Sequence, residues 1–267
     1  MLIAAAFVSG LIIGSFLNVC IFRVPRGESI VRPPSRCPHC KSTIPAWRNL
    51  PVVSYLLQAG KCADCGKPIG WFYPAVELMT GAAFAGGYVY YGPTPAFVYN
   101  VVLFSLLIGL VFIDLFDRIL PDVMTLGGMA FGFLFSPLQV PGFFTLELTA
   151  AGWMNVYLNS LIGILTGGGF LWLVAFLYLK VRKIEGMGFG DVKLMGMIGA
   201  FMGWKFALLT IFFGSLVGAV LGSAYIYTLG KGRAYELPFG TFLGLGAIVV
   251  NLWGMQLLGW YLSRILP

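Results

Sequence analysis

The sequence predicts an all-α polytopic membrane protein of about eight transmembrane helices, with one small polar loop domain after the first span. Three observations lead there. Apolar residues make up 59% of the 267 residues and charged residues only 10%. A soluble domain carries about 25% charged residues, so a water-facing surface cannot be assembled from this composition. The apolar residues also fall in runs of roughly 20, the length a helix needs to cross a bilayer, while polar residues gather between positions 24 and 70. An aromatic content of 16% with so little charge excludes intrinsic disorder. Five cysteines in so long a chain exclude a secreted disulfide scaffold.

The spans follow in order. Residues 2–22 carry no charge. They read as a retained anchor, because basic residues follow the apolar run instead of preceding it as in a secretory signal. Residues 71–91 are broken only by Glu77, and residues 97–113 form the third span. The fourth runs from 123 to about 143, and the fifth, 153–179, is long enough to tilt. Between 192 and 229 only Lys193 and Lys205 interrupt the run, which reads as two short spans turning at Gly203-Trp204-Lys205. Residues 239–262 make the eighth.

Orientation comes from Lys and Arg. Of the 17 basic residues, fifteen lie in the loops after spans one, three, five and seven, with Lys205 and Arg264 opposite. The positive-inside rule places those loops in the cytoplasm and both termini outside. The net charge of +7 is therefore a topology signal. It is spread over four loops without a reader motif, so membrane lipids surround this chain and nucleic acid is not its partner.

Seven prolines between 24 and 70 argue against long helices in the large loop. Within it, Cys37-Pro38-His39-Cys40 and Cys62-Ala63-Asp64-Cys65 form a C-x2-C-x21-C-x2-C pattern. Two knuckles presenting two thiolates each complete a tetrahedral structural zinc site. Two disulfides are the weaker reading in a reducing compartment. His39 reads as an exposed loop residue and Cys20 as a small packed apolar residue.

Burying a carboxylate in a span costs at least about 2.5 kcal/mol on insertion scales, which makes such residues functional candidates. Asp114 closes the third span and Asp191 opens the sixth, both at the cytoplasmic edge. Two carboxylates at one depth can form an aspartyl dyad. The ionised one activates water, the protonated one protonates a carbonyl oxygen, and like charges held close enforce that split. Gly188 and Gly190, in Gly186-Met187-Gly188-Phe189-Gly190-Asp191, let the chain turn sharply and bring Asp191 near a substrate backbone. Pro121 suits the first turn of the next helix, and Asp122 its positive end. Asp117 reads as a solvated loop charge. Glu77 reads as either a packing group or a functional one. The alternative function is an ion-coupled membrane transporter whose ion is held by Asp114, Asp191 and Glu77. Such carboxylates cluster at the bilayer midplane, whereas these two aspartates lie at the edge.

Together these segments resemble the type IV prepilin peptidase family of GxGD aspartic proteases, also called prepilin leader peptidase/N-methyltransferase. The likeness begins with Gly14-Ser15-Phe16-Leu17-Asn18-Val19 and the first cysteine knuckle. It continues through Asn49-Leu50-Pro51-Val52, Gly60-Lys61-Cys62 and Tyr73-Pro74-Ala75-Val76-Glu77. Ile113-Asp114, Leu120-Pro121-Asp122, Gly188-Phe189-Gly190-Asp191-Val192-Lys193 and Pro238-Phe239-Gly240 complete it. The resemblance implies a bacterial inner-membrane endopeptidase that removes the leader of type IV prepilins or pseudopilins after a glycine, serving pili or type II secretion. Asp114 and Asp191 map onto its catalytic pair. The four-cysteine form implies a second activity, N-methylation of the new N-terminal residue from S-adenosylmethionine, for which Gly60, Lys61 and Glu77 are candidates. The implied division is a first helix (1–23), a cytoplasmic zinc-binding, methyltransferase-associated loop (24–70) and a seven-helix peptidase domain (71–267).

Overall fold

A computed structural model of the chain describes residues 1–139, 152–184, 187–229 and 237–265. Lys231 and Arg233, Gly186 at the head of the glycine run, and the far end of the expected fourth span lie outside them. Contacts divide the chain into two units, Met1–Pro93 and Thr94–Pro267.

In the first unit, α1 (Leu2–Arg23) packs against α3 (Phe72–Tyr91), with a short α2 (Val53–Leu57) in the loop between them. Lipid is as apolar as leucine, so membrane helices associate through close packing at small residues. A Cβ on Gly10 would lie 2.7 Å from the Gly81 Cα, and one on Gly14 2.7 Å from the Glu77 Cα. Further along, the Asn18 side-chain amide donates to the Tyr73 carbonyl at 3.1 Å. These pairings run in opposite senses along the two chains, so α1 and α3 are antiparallel. Thus α3 packs with the first helix.

The second unit holds α4 (Pro95–Asp117), α5 (Asp122–Leu134), α6 (Gly152–Arg182), α7 (Phe189–Leu229) and α8 (Phe239–Ile265). Helix α4 is the most buried of its spans, with Leu103, Phe104, Leu107 and Ile113 enclosed. Helix α6 turns Trp172, Leu173, Phe176 and Leu177 outward, as a lipid-facing helix should. Inside α7, Gly203 has φ 75° and ψ 175°, a region only glycine occupies freely. A Cβ on Gly167 would touch both Met195 and Ala207. A straight helix would part those two by about 18 Å, so α7 doubles back at Gly203, as the sequence reading expects.

Among the described residues, five helices are long and apolar enough to cross a membrane, within α1, α4, α6, α7 and α8. The chain is a multi-pass membrane protein. The hairpin in α7 adds one segment to that set. Helix α3 falls outside it because Glu77, Thr80 and four tyrosines dilute its 20 residues. Helix α5 is the correction to the fourth span: it has 13 residues and stops at Leu134, giving way to a single turn, Ser136–Leu138. Pro137 has no amide to continue the ladder and disfavours helix at the residue before it.

Gly203→Ala combines a glycine-only torsion with a Cβ that would run into the Asn159 side chain. The substitution is expected to destabilise the second unit by about 2 kcal/mol, read as a lowered Tm in detergent. An unchanged Tm would contradict the hairpin.

Candidate active site

Asp114 lies in the last turn of α4, and Asp191 is the third residue of α7. Both are buried. The two carboxylates meet at the start of α8. A Cβ on Gly240 would lie 3.1 Å from Asp114 Oδ2 and 3.1 Å from Asp191 Oδ1. The two oxygens are therefore no farther apart than twice that distance. Glycine keeps a side chain out of the space between them.

Local structure explains how they converge. Arg118 ends α4 in the left-handed conformation, φ 55°, its amide bonded to the Asp114 carbonyl at 3.0 Å. The chain then turns through Leu120, whose side chain lies against both Gly190 and Gly240. Pro121 is the N-cap of α5 rather than its first helical residue, and its carbonyl accepts from the Met124 and Thr125 amides. Asp122 opens α5 and pairs with Lys193 at 2.6 Å, tying α5 to α7 two residues from Asp191. The Asp191 amide bonds to the Gly188 carbonyl at 3.2 Å, so Gly188 and Gly190 bracket the sharp entry into α7. Asp117 is half-buried, one turn beyond Asp114.

Thr241 is the neighbour that sequence reasoning missed. Its amide donates to Asp114 Oδ2 at 2.6 Å, and its hydroxyl lies 3.0 Å from the same oxygen and 3.2 Å from the Val111 carbonyl. Thr241 thereby ties the start of α8 to the end of α4. The only sequence signal was its place directly after Pro238-Phe239-Gly240.

The first unit holds a second site. The Sγ atoms of Cys37, Cys40, Cys62 and Cys65 all lie within 4.8 Å of one another, with Cys37 and Cys65 at 3.9 Å. A tetrahedron of sulfurs about 2.3 Å from a central zinc has edges of about 3.8 Å, so the cluster fits zinc. The two knuckles repeat one design. The Cys37 amide bonds to the Ser42 carbonyl and the Cys62 amide to the Lys67 carbonyl, each at 2.9 Å. After each second cysteine the chain turns left-handed, at Lys41 (φ 59°) and at Gly66 (φ 69°). The Ser42 hydroxyl and amide draw the Cys40 thiol down to about 6, favouring the thiolate that binds metal. His39 is exposed and Cys20 buried.

Glu77 joins this loop to α3. It accepts a 2.7 Å bond from the Val52 amide, and the Ser15 hydroxyl donates to it as well. Val52 has φ 60°, a costly torsion for a β-branched residue. Glu77 lines a cavity of about 780 Å³ lying between α1, the loop and α3. Gly60 and Lys61 belong instead to the turn entering the second knuckle, where Gly60 (φ 69°) packs on Tyr55.

Comparison with known proteins agrees with this division. The family model for the bacterial peptidase A24 N-terminal domain matches residues 8–91, and that for the type IV leader peptidase family matches residues 101–223. The chain is also similar to relatives named prepilin leader peptidase/N-methyltransferase, three of which follow. The protein from Legionella pneumophila is 32% identical over 95% of this chain and 92% of its own. That from Pseudomonas aeruginosa is 34% identical over 95% and 91%, and that from Neisseria gonorrhoeae 33% identical over 97% and 94%. No solved structure matches.

Gly240→Ala would place a methyl group against both carboxylates. Peptide cleavage is expected to fall on the order of 100-fold, as displacements near 1 Å do elsewhere, with the Tm nearly unchanged. Normal cleavage by this variant would show that the reacting group does not lie there.

Proposed function

The chain belongs to the type IV leader peptidase family, and on that premise we propose that it is a membrane aspartic endopeptidase and N-methyltransferase. It removes the leader of type IV prepilins or pseudopilins after a glycine, then methylates the new N-terminal residue. The observation that carries the reading is the meeting of Asp114 and Asp191 at Gly240.

The chemistry follows from the asymmetry of the pair. Thr241 donates to Asp114 and not to Asp191, and Asp114 is assigned here as the ionised member. Asp114 takes a proton from a water molecule, whose oxygen forms a bond to the scissile carbonyl carbon. Asp191 gives its proton to the carbonyl oxygen. As the C–N bond breaks, the nitrogen leaves with the proton held by Asp114, and Asp191 recovers its own from the collapsing hydroxyl. The carboxylates sit at helix ends rather than mid-helix, which favours peptide chemistry at a membrane face over ion-coupled transport. That face is the cytoplasmic side of the bacterial inner membrane, with both termini outside.

Cys37, Cys40, Cys62 and Cys65 hold a structural zinc ion that organises the loop at 24–70. S-adenosylmethionine supplies the methyl group, and Glu77, with Gly60 and Lys61, serves its transfer. The second unit serves cleavage.

Asp114→Asn and Asp191→Asn are each expected to lower cleavage of a prepilin-like peptide by about 100-fold or more. The double variant should be little worse, because the pair acts as a unit. Asp117→Asn is the control and should cleave well. Mass spectrometry reads all four. An inactive Asp117→Asn beside an active Asp114→Asn would overturn the assignment.

Elemental analysis of the purified protein should find one zinc ion per chain, lost on changing any of the four cysteines to serine. Methylation should suffer more than cleavage in those variants. Protein without zinc, its four thiols oxidised in pairs, would refute the metal site.

A further inference from the structure

A short helix in a water-facing loop hides its leucines and shows its serines. Helix α2 does the reverse. Ser54 is 8% exposed, while Leu56 and Leu57 are 70% and 82% exposed. The inward side belongs to the loop: the Ser54 hydroxyl accepts from the Leu50 amide at 2.9 Å, and Tyr55 packs on Gly60. Residues three and four apart share one face of a helix. Val53, Leu56 and Leu57 therefore make a single outward stripe, with Trp47 and Leu50 exposed just before it. Of the seven exposed large apolar side chains between 24 and 70, these five gather here, and only Ile30 and Val31 lie elsewhere. An apolar cluster of this kind marks an interaction surface.

The depth of α2 identifies the partner. Asn18, five residues before Arg23, meets Tyr73 at the start of α3. Helix α3 therefore begins about 7.5 Å inside the level at which α1 reaches its first charge. The Val52 amide is bonded to Glu77, five residues further along from Phe72. A helical side chain leans toward the N-terminus of its helix, here the loop end, so Val52 stands close to the level at which α3 starts. The residue entering α2 thus lies inside the edge of the membrane that α1 crosses, within the range of about 5–10 Å to which an interfacial helix sinks its apolar face. Just before it, the Arg48 guanidinium lies 4.5 Å from the centroid of the Trp47 ring, a pairing of residue types that gather at lipid headgroups.

We propose that α2 is embedded in the bilayer, with Val53, Leu56 and Leu57 among the acyl chains of the leaflet on the loop's side and Trp47 with Arg48 at its headgroups. The partner is the lipid surface itself, continuous with the lipid around the outward face of α1, where Val8, Ile12 and Phe16 are exposed. The loop between α1 and α3 is then a monotopic element as well as a connection. Its cysteine knuckles are tethered at the membrane face through α2 and through the Val52–Glu77 bond. The inference rests on the membrane placement of α1 and not on either enzymatic activity.

The test uses the full-length protein in phospholipid vesicles and a photoactivated diazirine, carried either in the lipid acyl chain or on a small water-soluble probe. Mass spectrometry maps the adducts. The segment Leu50–Leu57 is expected to take several-fold more acyl-chain adducts than the two cysteine knuckles of the same loop, and several-fold fewer adducts from the water-soluble probe. The double variant Leu56→Asp/Leu57→Asp places two charges in the stripe and should lose most of the acyl-chain adducts there. The wild-type map decides the matter by itself if that variant fails to fold. Water-probe labelling of Leu50–Leu57 as strong as that of the knuckles would overturn the inference. So would protection of the segment from both probes, which would assign the stripe to a second copy of this chain.

Discussion

Backbone contact at glycine is the constraint on which the rest of this structure depends. In a bilayer, burying leucine against leucine gains little over leaving it in lipid, so helices are held by close approach. A side-chain carbon on Gly163 or Gly199 would run into the other's carbonyl oxygen, which means that α6 and α7 touch through their backbones. That contact seats the first half of α7, and Asp191 rides on it. Gly10, Gly14 and Gly81 do the same for α1 and α3, and so set the width of the cavity beside Glu77. Each site stands on a helix pair that no larger residue could bring together.

Close packing leaves rotation about the helix axes to be settled, and buried polar groups settle it. Without water, such groups gain most from a partner on a neighbouring helix. Asn251 on α8 donates to Asn100 on α4 at 2.8 Å, and Thr241 donates to Asp114 at 2.6 Å. On α4 those two points are about 21 Å apart, so α8 is pinned at its start and again near its middle. The Tyr99 hydroxyl reaches the Gly132 carbonyl, and Ser160 reaches that of Ala200, each at 2.7 Å. Gly240 faces the carboxylates because Thr241, its neighbour, is bound to one of them.

The loop of the first unit is built differently. Its four thiols converge without an apolar core of their own, and a metal ion is what gives such segments folding free energy. Lys41 occupies the left-handed torsion that Gly66 fills in the second knuckle, so the repeat is one of geometry more than of sequence. Val52 carries a similar strain, offset by its short bond to a buried carboxylate. The loop is thereby fastened to α3 at the wall of the cavity.

The sequence by itself determined the class of the protein, the cysteine cluster and the two aspartates. Composition and apolar runs depend on the solvent around each segment, C-x2-C pairs are local turns, and a carboxylate at a span's end stands out in a chain with ten acidic residues. The reversal at Gly203 was legible too, because a tryptophan and a lysine follow the glycine inside an apolar run. Tertiary structure decided what depends on partners far apart in sequence. Thr241 lies 127 residues from Asp114, and a threonine at a helix start carries no mark of the carboxylate it will meet. The place of α3 beside α1 depended on glycines that look alike wherever they occur. The same holds for Asn18: its letter shows a polar residue in a span, but only the packing around it reveals that one half of its amide is satisfied and the other is not.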